Sequence, residues 1–593
     1  MQLVLIVSAG AVLALILGWL GYCFVVLGFP ERLRLLFGRL GELHQVVDQA
    51  AARYGDTTIV ELEAPLPWQV PADKLRVEDD RAWSAVRIQQ TTALIGGALR
   101  HFADPRMGDR IVIYKENAFD LFLFAAAAIR IGAIAAPVNG KLASASFGKY
   151  VSYLGAKVVI TDLATLRCLL AEGIALTGVA LVVVSDARAA DTDPADGTVA
   201  VQGARPAELR VLGLPWMLAQ QVEPARAVER GPDDPLYIVH TSGTTGFPKG
   251  VILLSRGLRQ SLKATLMFNL VGRKDLAYFC VPFNHQVTNL YIFTTLALGA
   301  RVIMSSEFKA DRVLDTLSRR RASIYFGFPI TYAQLVAEDL TRYDLRAMRI
   351  WGATADASHE VHQRPLVRQG SFLRRLGIPI SGSLFVDGLG SSEVGIAALL
   401  RIVGPWTKQF GRRVGRPVPV FGPKVRVVDA AWRPVADGRP GRFAIKGPCM
   451  FGGYWNAHDK LLASSQNGWW FTGDIVMRLS DGEFVHLDRE VDVIAHQEGV
   501  SYTLLLEEEV LKHPAVFDTT VFALTQANGN VVPAAAVALK SGVEVIDVER
   551  LRLELNAKLP AKDRLVELQV TRWSEFPIGV TGKTLKRVLR KDA

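Results

Sequence analysis

The eleven residues from His240 to Gly250 read HTSGTTGFPKG, and the interpretation of the whole chain starts from them. Four hydroxyl side chains, three glycines and a lysine stand close together, as in loops that bind phosphate through backbone N–H groups. A Walker loop, G-x-x-x-x-G-K-[ST], places its lysine directly after a glycine, whereas Lys249 follows Pro248. The stretch therefore predicts a phosphate-binding loop of a different type, or an ordinary turn.

Length and composition predict a folded enzyme with more than one domain. The 593 residues can form several apolar cores, and the net charge of +10 is compatible with anionic ligands or a membrane surface. No long basic run with interleaved aromatic residues is present, so a nucleic-acid partner is not expected. The four cysteines lie far apart and form no C-x-x-C pair, which argues against a disulfide framework or a zinc knuckle and favours a reducing compartment.

The first thirty residues contain no charged side chain. A helix of that length can cross a hydrocarbon core of roughly 30 Å, so we predict an N-terminal transmembrane helix over residues 1–30. Arg32, Arg34 and Arg39 follow it, and positive charge on that side would place the catalytic body in the cytoplasm of a single-pass membrane protein. A cleaved signal peptide and a buried or surface-lying helix are the alternatives. Residues 31–80 are interpreted as a linker leading into the folded body.

From Arg81 onward, helix-like and strand-like segments alternate, which predicts an α/β fold. SAVRIQQTTALIGGALRHF, residues 84–102, has the apolar spacing of an amphipathic helix. DRIVIYKE, residues 109–116, and AKVVITD, residues 156–162, are short runs of the type found in buried parallel strands. Turn-separated strands between Gly411 and Lys446 predict a β-rich subdomain.

Six motifs together carry a resemblance to a known family. The stretch YIVHTSGTTGFPKG resembles the phosphate-binding signature of the adenylate-forming (AMP-binding) superfamily, which includes the acyl-CoA synthetases. Five further segments follow in the family's order: VPFNH ending in His285, DGLGSSE from Asp387 to Glu393, GGYWN from Gly452 to Asn456, FTGD ending in Asp474, and PIGVTGKTLKRVLR with the family's lysine at Lys583. The resemblance spans roughly Ala82 to Arg590.

The resemblance implies a fold and a reaction. The implied fold has a large N-terminal AMP-binding domain over residues 81–488, built of stacked α/β subdomains plus a β-rich subdomain, and a small, mobile α+β C-terminal domain over residues 489–593. Family enzymes join a carboxylate to the α-phosphate of ATP and release pyrophosphate, and they then usually pass the acyl group to a thiol. ATP, Mg²⁺ and coenzyme A are the implied cofactors.

The resemblance also implies roles for individual residues. His285 would lie beside the substrate carboxylate, Asp474 would bind the ribose hydroxyls, and Lys583 would stabilise charge that develops in the transition state. The remaining implied roles are phosphate binding by Thr241, Ser242, Gly243, Thr244, Thr245, Gly246 and Lys249, magnesium binding by Glu393 with Thr245, adenine contacts by Asp387, Gly388, Leu389 and Ser392, a hinge at Arg489, and a thiol tunnel lined by Gly499. Each residue alone could equally be a surface charge, a helix cap or a structural histidine, and their joint occurrence favours catalysis.

Departures from the family pattern concern the adenine contact and the hinge. Leu389 stands where an aromatic residue usually stacks on adenine. Asp488 replaces the hinge glycine, and Val491 stands at the usual hinge Asp or Lys. Because the C-terminal domain of the family rotates between the two half-reactions, an altered hinge bears on the thiol step. Coenzyme A is the expected acceptor, and the phosphopantetheine arm of an acyl carrier protein is the alternative.

The segments that line the acid pocket in the family are apolar in this chain. They contain Phe283, Phe326, Phe328 and Trp351, and no Lys or Arg that would pair with a second substrate charge. The sequence therefore predicts a fatty acid or other apolar carboxylic acid, and thus a fatty acyl-CoA synthetase. An aryl-CoA ligase, an acyl-AMP ligase that loads a carrier protein, and a catalytically silent lipid-binding protein are the alternatives.

Overall fold

The computed structural model describes residues 28–201, 209–241, 248–268, 270–354, 358–374, 378, 380–395, 397–543, 547–576 and 584–590. The α-helices in these ranges are α1 (Phe29–Arg34), α2 (Val46–Tyr54), α3 (Ala85–Ala103), α4 (Asp120–Arg130), α5 (Ser144–Leu154), α6 (Leu163–Ala171), α7 (Leu214–Ala219), α8 (Ser255–Phe268), α9 (Gln286–Leu298), α10 (Ala310–Arg319), α11 (Pro329–Ala337), α12 (Glu360–Val367), α13 (His458–Ala463), α14 (Thr503–Val510), α15 (Val548–Asn556) and α16 (Lys586–Leu589).

The strands form two large sheets and two small ones within the described ranges. In chain order they are β1 (Thr58–Leu62), β2 (Ala82–Ser84), β3 (Arg110–Lys115), β4 (Ile134–Asn139), β5 (Ala156–Thr161), β6 (Leu181–Val184), β7 (Arg210–Gly213), β8 (Pro235–Thr241), β9 (Lys249–Leu254), β10 (Leu276–Phe279), β11 (Arg301–Met304), β12 (Ile324–Gly327), β13 (Ile350–Ala353), β14 (Leu384–Gly390), β15 (Ala397–Val403), β16 (Arg413–Pro417), β17 (Lys424–Val428), β18 (Pro440–Lys446), β19 (Gly453–Tyr454), β20 (Ser465–Gln466), β21 (Trp469–Arg478), β22 (Phe484–Arg489), β23 (Ile494–His496), β24 (Gly499–Ser501), β25 (Val516–Thr525), β26 (Val531–Leu539) and β27 (Glu567–Val570).

The largest sheet is parallel in one half and antiparallel in the other. Its order is β17-β18-β21-β22-β16-β15-β14-β13-β12-β10-β11-β1-β2, with β20 paired to β21. From β14 to β1 all neighbours are parallel, as expected of strands joined through helices. From β14 to β17 all neighbours are antiparallel. The parallel half supplies strand ends for a site, and the antiparallel half forms a β-rich extension.

The second sheet has the order β19-β9-β8-β4-β3-β5-β6-β7. Its central strand β4 is buried along its whole length, in agreement with an apolar sequence and helices on both faces. One continuous apolar core contains side chains of both large sheets, for example Ile113 of β3 and Phe279 of β10. The two sheets therefore form one large N-terminal domain.

The smaller C-terminal domain has its own cores. The three strands β25, β26 and β27 form one sheet, and β23 and β24 form a hairpin. Helices α14 and α15 pack on the sheet through a separate apolar cluster that includes Val510, Val537 and Leu551. The mobility implied for this domain by the resemblance stays a prediction.

Local sequence signals located the elements of the large domain well. The predicted helix over residues 84–102 is confirmed as α3, whose first turn is capped because the Ser84 side chain accepts a hydrogen bond from the Arg87 backbone N–H. The strands predicted at 109–116 and 156–162 are confirmed as β3 and β5. Residues 31–80, interpreted as a linker, also contain α2 and β1, and β1 pairs with β11 in the largest sheet.

The predicted location in a membrane is corrected by the structure. Across the described residues, no helix combines the length and the apolar character that a membrane span needs. Residues 1–27 of the predicted anchor lie outside the described part of the chain. The following helix α1 has six residues, and its buried Arg32 guanidinium donates to the backbone carbonyls of Leu266 and Val271. The chain after the apolar run is thus packed on the globular body.

Candidate active site

A cavity of about 870 Å³ lies where the two large sheets meet the C-terminal domain. Its walls come from the parallel strands β10, β12, β13 and β14, from helices α8 and α9, from the β8–β9 hairpin, from β21, and from Thr584, Leu585, Lys586, Arg587 and Arg590 of the C-terminal domain. In open α/β sheets, ligands bind at the carboxyl ends of parallel strands. The cavity therefore lies where the sequence motifs converge.

The phosphate-binding stretch is placed at this cavity by a β-hairpin. Thr241 at the end of β8 pairs with Lys249 at the start of β9, and both residues line the cavity. The predicted phosphate ligands Ser242, Gly243, Thr244, Thr245 and Gly246 lie between them and outside the described residues. The described residues on either side of the predicted loop, Thr241 and Pro248, therefore line the cavity.

Cations dominate the same part of the cavity. Its lining includes Lys249, Lys460, Arg489, Lys586, Arg587 and Arg590, against the carboxylates of Glu393 and Asp492. Burial, and then the positive charge of Lys460, lower the pKa of the Lys249 ammonium. The ammonium form of Lys249, disfavoured by burial and by a neighbouring cation, is stabilised when a polyanion binds beside it.

Glu393 is held in this cluster by one directed hydrogen bond. It is a buried carboxylate in a short turn after β14, and the Tyr454 hydroxyl donates to its Oε1 at 3.0 Å. Burial and the adjacent carboxylate raise the pKa of Tyr454, so its hydroxyl stays protonated and donates. The Tyr454 ring also lies 5.3 Å from Lys249 Nζ. The pair gives one fixed carboxylate among cations.

Asp474 lies just behind the wall rather than on it. It is buried at the end of FTGD, with its Oδ1 3.3 Å from His486 Nε2 and 3.5 Å from Arg489 Nε. Although burial opposes ionisation, Arg489 and His486 hold the pKa of its carboxyl well below the ordinary value. A Cβ on Gly473 would come within 3.0 Å of the Arg489 guanidinium, so glycine is needed for this close approach. The carboxylate is therefore ionised and fixed next to Arg489.

The alternation of side chains along β14 separates the predicted adenine residues. Val386, Gly388 and Gly390 face the cavity, and Ser392 lines it in the following turn. Asp387 and Leu389 do not line the cavity, because neighbouring residues of a strand point to opposite faces. Asp387 instead accepts hydrogen bonds from Ser358 N at 3.2 Å and Gln363 Nε2 at 3.5 Å, and Leu389 packs against the main core. Of the residues predicted to contact adenine, Gly388 and Ser392 therefore line the cavity.

The buried position of Asp387 predicts a pH-dependent stability. Burial raises the pKa of Asp387 to about 6, whereas an unfolded aspartate titrates near about 3.9. The folded state therefore favours the protonated Asp387 carboxyl. The stability that this preference contributes is fully present below about pH 4 and is lost as the pH rises through about 6. Asp387→Asn has no titrating group at this position. The free energy of unfolding of this variant, relative to that of the wild type, should therefore rise by about 2 kcal/mol from pH 4.5 to pH 7.5. Denaturant titrations of both proteins at the two pH values measure this difference.

A surface aspartate provides the control for this measurement. Asp481 pairs with Arg413 and has 42% of its side chain exposed, and that pairing lowers its pKa. The difference in free energy of unfolding between Asp481→Asn and the wild type should stay constant over the same pH range, because Asp481 is already ionised at pH 4.5. An Asp387→Asn difference that does not change with pH would contradict a buried, titrating Asp387.

The acid side of the cavity is built on α9. His285 precedes this helix and lines the cavity, with its ring 5.1 Å from that of Phe328 in an edge-to-face arrangement. The loop before the helix is fixed because Asn289 Nδ2 donates to the carbonyls of Phe283 and His285, both at 3.0 Å. Gln286, Val287, Leu290 and Tyr291 then continue the wall, at helical spacing. His285 is therefore positioned beside an extended, mainly apolar surface.

The C-terminal tail contributes to the cavity lining. Lys583, the predicted catalytic residue, lies outside the described residues, but Thr584, Leu585, Lys586, Arg587 and Arg590, which follow it, line the cavity. Lys586 Nζ lies 2.8 Å from Glu507 Oε1, and the carboxylates of Glu507 and Asp488 raise its pKa against the effect of burial. Asp488 in turn accepts hydrogen bonds from the backbone and side chain of Thr503 at the start of α14. The unusual hinge residue thus ties the tail and α14 to β22.

Gly499, predicted to line a thiol tunnel, lies elsewhere. It is exposed in the β23–β24 hairpin at φ +128°, with no atom within 4 Å of an added Cβ, and it does not line the cavity. Arg489 and Val491 at the hinge do line it. In this arrangement of the two domains, the cavity therefore joins the predicted ATP and acid subsites, while Gly499 is remote.

His240 is a cavity residue to which the sequence assigned no role. Its Nε2 accepts a hydrogen bond from the Asn139 backbone N–H at 3.0 Å, and burial lowers its pKa to about 4. The imidazole is therefore neutral at pH 7 and joins β8 to the end of β4, directly before the phosphate-binding loop. A histidine at the end of a buried strand has no distinguishing pattern, so nothing in the sequence identified it.

The described residues that line the cavity could hold a hard cation such as Mg²⁺ only if phosphate oxygens supply further ligands. Among the described residues, no group of three His, Cys, Asp or Glu side chains could hold a metal ion by itself. One carboxylate oxygen of Glu393, Oε1, accepts a hydrogen bond from the Tyr454 hydroxyl, and Oε2 is the second oxygen that a cation could contact. Mg²⁺ at phosphate sites takes one or two carboxylates and completes its octahedron with phosphates and water. Glu393 is compatible with that role.

Comparison with known proteins agrees with this arrangement. The profile of the AMP-binding enzyme family matches residues 47–455. The chain is 29% identical over 526 residues to 3-aminoavenalumate diazotase of a Streptomyces species, covering 84% of this chain and 87% of the relative. It is 25% identical over 524 residues to the 4-hydroxybenzoate–CoA/benzoate–CoA ligase of Rhodopseudomonas palustris, covering 87% and 90%. Fatty-acid–CoA ligases also occur among the relatives.

The fold is shared with solved structures. An anthranilate CoA ligase in complex with anthranoyl-AMP matches with a TM-score of 0.75, over 93% of this chain and 97% of that chain, at 19% identity. At this identity the match shows the fold, with its large N-terminal and smaller C-terminal domains. The relatives leave both fatty and aromatic acids open as substrates.

Proposed function

The chain belongs to the AMP-binding enzyme family, and on that premise we propose that it activates an aromatic carboxylic acid with ATP and transfers the acyl group to coenzyme A. The aromatic acid replaces the fatty acid as the preferred substrate, and the aryl-CoA ligase was an alternative from the sequence. Three aromatic rings on one wall of the cavity carry this choice.

The three rings are those of Phe279, Tyr291 and Phe326, and all three line the cavity. The centroids of Tyr291 and Phe326 are 4.3 Å apart, and Phe279 lies 5.3 Å from Tyr291 and 5.5 Å from Phe326. Gly352 beside them has no side chain, and a Cβ there would come within 2.6 Å of the Phe326 ring. Together they form a continuous aromatic surface that favours a flat ring through stacked or edge-to-face contacts.

Cavity size points to the same class of acid. The volume of about 870 Å³ is shared between nucleotide and acid, and cavities of about 300–1,000 Å³ suit a single drug-sized ligand. An aryl-adenylate has that size, whereas a long acyl chain would need an additional channel. Relatives named for aromatic substrates match over most of the chain, which supports the proposal.

In the first half-reaction, a carboxylate oxygen of the acid forms a bond to the α-phosphorus of ATP, and the bond to the bridging oxygen of pyrophosphate breaks. Both reactants are anions, so the cations Lys249, Lys460 and Arg489 reduce their repulsion and stabilise the leaving group. Mg²⁺ would be held by Glu393 and would neutralise phosphate charge. Asp474, fixed by Arg489 and His486, has the ionised carboxylate that ribose hydroxyls require.

In the second half-reaction, the thiol sulfur of coenzyme A attacks the acyl carbon, the thiol proton is lost and AMP leaves. His285 lines the cavity just before α9, and its imidazole would orient the acyl group. Asp488 ties the C-terminal domain to β22 through Thr503. A rotation that opens a thiol route must first break these two hydrogen bonds.

A second candidate is a diazotase-like reaction, favoured by the relative of that name that matches 84% of this chain. Nitrite is a small anion with two terminal oxygens, like a carboxylate, and one of its oxygens could form the bond to the α-phosphorus of ATP. An aromatic amine nitrogen would then attack the nitrite nitrogen, and AMP would leave. The amine nitrogen loses a proton in this step, and protonation of the resulting N-nitroso compound followed by loss of water gives the diazonium ion. The amine would replace coenzyme A as the acceptor.

We expect purified protein with ATP and Mg²⁺ to release pyrophosphate with aromatic acids and to form an aryl-CoA when coenzyme A is added. Pyrophosphate release is followed by a coupled assay, and thioesters and diazonium products are followed by mass spectrometry. The panel contains benzoic, hydroxybenzoic, aminobenzoic and cinnamic acids, fatty acids of several lengths, and nitrite with each aminobenzoic acid.

The outcomes separate the candidates. Pyrophosphate release with fatty acids alone would contradict the aromatic pocket. Release with an aromatic acid but no thioester would contradict coenzyme A as the acceptor. Nitrite-dependent release with a diazonium product would establish the second candidate, and no release with any member of the panel would refute acid activation altogether.

A further inference from the structure

We propose that Gln286 is a specificity-determining residue that hydrogen-bonds a neutral polar substituent, a hydroxyl or an amino group, on the ring of the aromatic acid. This inference rests on the proposed function and narrows the substrate class. It predicts that the enzyme discriminates strongly against the unsubstituted ring.

Gln286 is a polar side chain in an apolar part of the molecule. It is the first residue of α9, it lines the cavity, and 4% of its surface is exposed. Neither its Oε1 nor its Nε2 has a hydrogen-bond partner in the described part of the chain. Leaving a buried amide group without a hydrogen bond is unfavourable, so such groups are uncommon unless a ligand satisfies them.

The neighbouring amide on the same helix shows the contrast. Asn289, also buried, donates two hydrogen bonds through Nδ2 to the carbonyls of the preceding loop, and it thereby holds His285 in place. Gln286 makes no comparable contact with that loop. Asn289 therefore explains the local structure, while the Gln286 amide is not needed for it.

The surroundings of Gln286 indicate which substituents fit. The cavity lining contributed by α8, α9, β10, β12 and β13 contains no charged side chain. A second charge on the acid would remain without a partner there, and burial of an unpaired charge is strongly unfavourable. An amide offers one acceptor oxygen and two N–H donors, so it complements a group that both donates and accepts.

Tyr291, five residues further along α9, provides a second polar group in the cavity lining. Its ring belongs to the aromatic surface. Burial raises the pKa of Tyr291, so the hydroxyl is neutral. A ring held against Phe326 thus meets an uncharged amide and an uncharged phenol, which is a suitable setting for a phenol or an aniline.

The test compares wild type with Gln286→Met, which removes the amide at nearly constant length. ATP-dependent pyrophosphate exchange is measured with benzoate and with the ortho, meta and para isomers of hydroxybenzoate and aminobenzoate. Wild type should favour at least one substituted acid by about 30-fold or more in kcat/KM. Gln286→Met should lose about 10- to 100-fold for that acid and change less than about threefold for benzoate.

A matched variant distinguishes hydrogen bonding from shape. Leu290 lies one helical turn from Gln286 and also lines the cavity. Leu290→Met alters the wall without touching the amide and should affect substituted and unsubstituted acids alike. The melting temperatures provide a second readout, because Gln286→Met should be at least as stable as wild type while Asn289→Leu should be less stable. A loss of stability in Gln286→Met would assign the amide a structural role and overturn the proposal.

Affinities of the same acids, measured by calorimetry, test the role of Gln286 independently of the proposed function. If no acid supports exchange, acid activation fails, but the affinities still test Gln286. A substituted benzoate that binds wild type at least about tenfold more tightly than benzoate, with that gap lost in Gln286→Met, supports the subsite. Equal affinities in both proteins, or no binding of any of these acids, overturn it.

Discussion

Replacing Lys583 by alanine is expected to lower the rate of ATP-dependent pyrophosphate release by about 10²- to 10³-fold, the loss typical of removing one group that stabilises developing charge. The acid and the α-phosphate are both anionic, and negative charge accumulates on the oxygens around phosphorus as the new bond forms. A lysine that reaches those oxygens acts mainly in the transition state, so kcat should fall much more than KM for ATP rises. Initial rates over a matrix of ATP and acid concentrations measure both.

The described residues support this placement of Lys583 without defining its side chain. Lys586 follows it by three residues, so the two Cα atoms are at most about 11 Å apart. Lys586 is anchored to Glu507 and lines the cavity, as do Thr584 and Arg590. The residues that directly follow Lys583 therefore line the cavity, and the catalytic role of Lys583 stays a prediction.

A matched surface lysine tests whether the loss is specific. Lys512 is exposed and pairs with Glu509 on the same stretch of the C-terminal domain. Lys512→Ala should retain full activity. Pyrophosphate release by Lys583→Ala within about threefold of wild type, in a protein with an unchanged melting temperature, would contradict the catalytic role.

The elements of the large domain could be predicted from sequence because local periodicity determines them. Helix α3 repeats its apolar residues at helical spacing and begins at the capping Ser84, and β3 is a run of apolar residues in a parallel sheet. The arrangement of β14 shows the limit of that reasoning. The motif places Asp387, Gly388 and Leu389 together, but only Gly388 faces the cavity, since the face of a strand depends on its register with β13 and β15.

The acid pocket was less predictable because its residues come from distant segments. Phe326 was identified from its motif, whereas Phe279, Tyr291 and Gln286 lie in ordinary strand and helix sequences. Their joint position follows from the packing of α9 against β10 and β12, which no local pattern encodes. The same holds for Tyr454, since its motif gave no reason to expect a hydrogen bond to a residue 61 positions earlier.

The residues that follow the apolar run at the start of the chain show what sequence patterns leave out. Hydropathy and the flanking positive charges predicted a membrane protein, but neither reports what the following residues contact. Arg32 was interpreted as a positive charge flanking a membrane, and the structure instead places it in the interior with two backbone carbonyls as acceptors. A buried guanidinium with such partners is part of the folded body.

Replacing Glu393 by glutamine is expected to reduce kcat/KM for ATP by about 10²- to 10³-fold at low Mg²⁺, because a hard divalent cation loses its charged protein ligand. Glutamine keeps the size of the side chain and an oxygen that can accept the Tyr454 hydrogen bond, so the geometry of the turn should survive. The loss should shrink as Mg²⁺ is raised, since weaker binding is compensated by concentration. Titrating activity with Mg²⁺ at fixed ATP measures the shift in apparent affinity.

Tyr454→Phe separates the charge of Glu393 from its positioning. That variant removes the hydroxyl that donates to Glu393 at 3.0 Å but leaves the carboxylate and the ring beside Lys249. A lost hydrogen bond of about 1 kcal/mol corresponds to roughly a fivefold decrease, with a small change in Mg²⁺ dependence. Because Lys249, Lys460 and Arg489 already surround this carboxylate, the alternative is that Glu393 only balances their charge. In that case Glu393→Gln would strengthen ATP binding and leave the Mg²⁺ dependence unchanged, which would refute the metal-binding role.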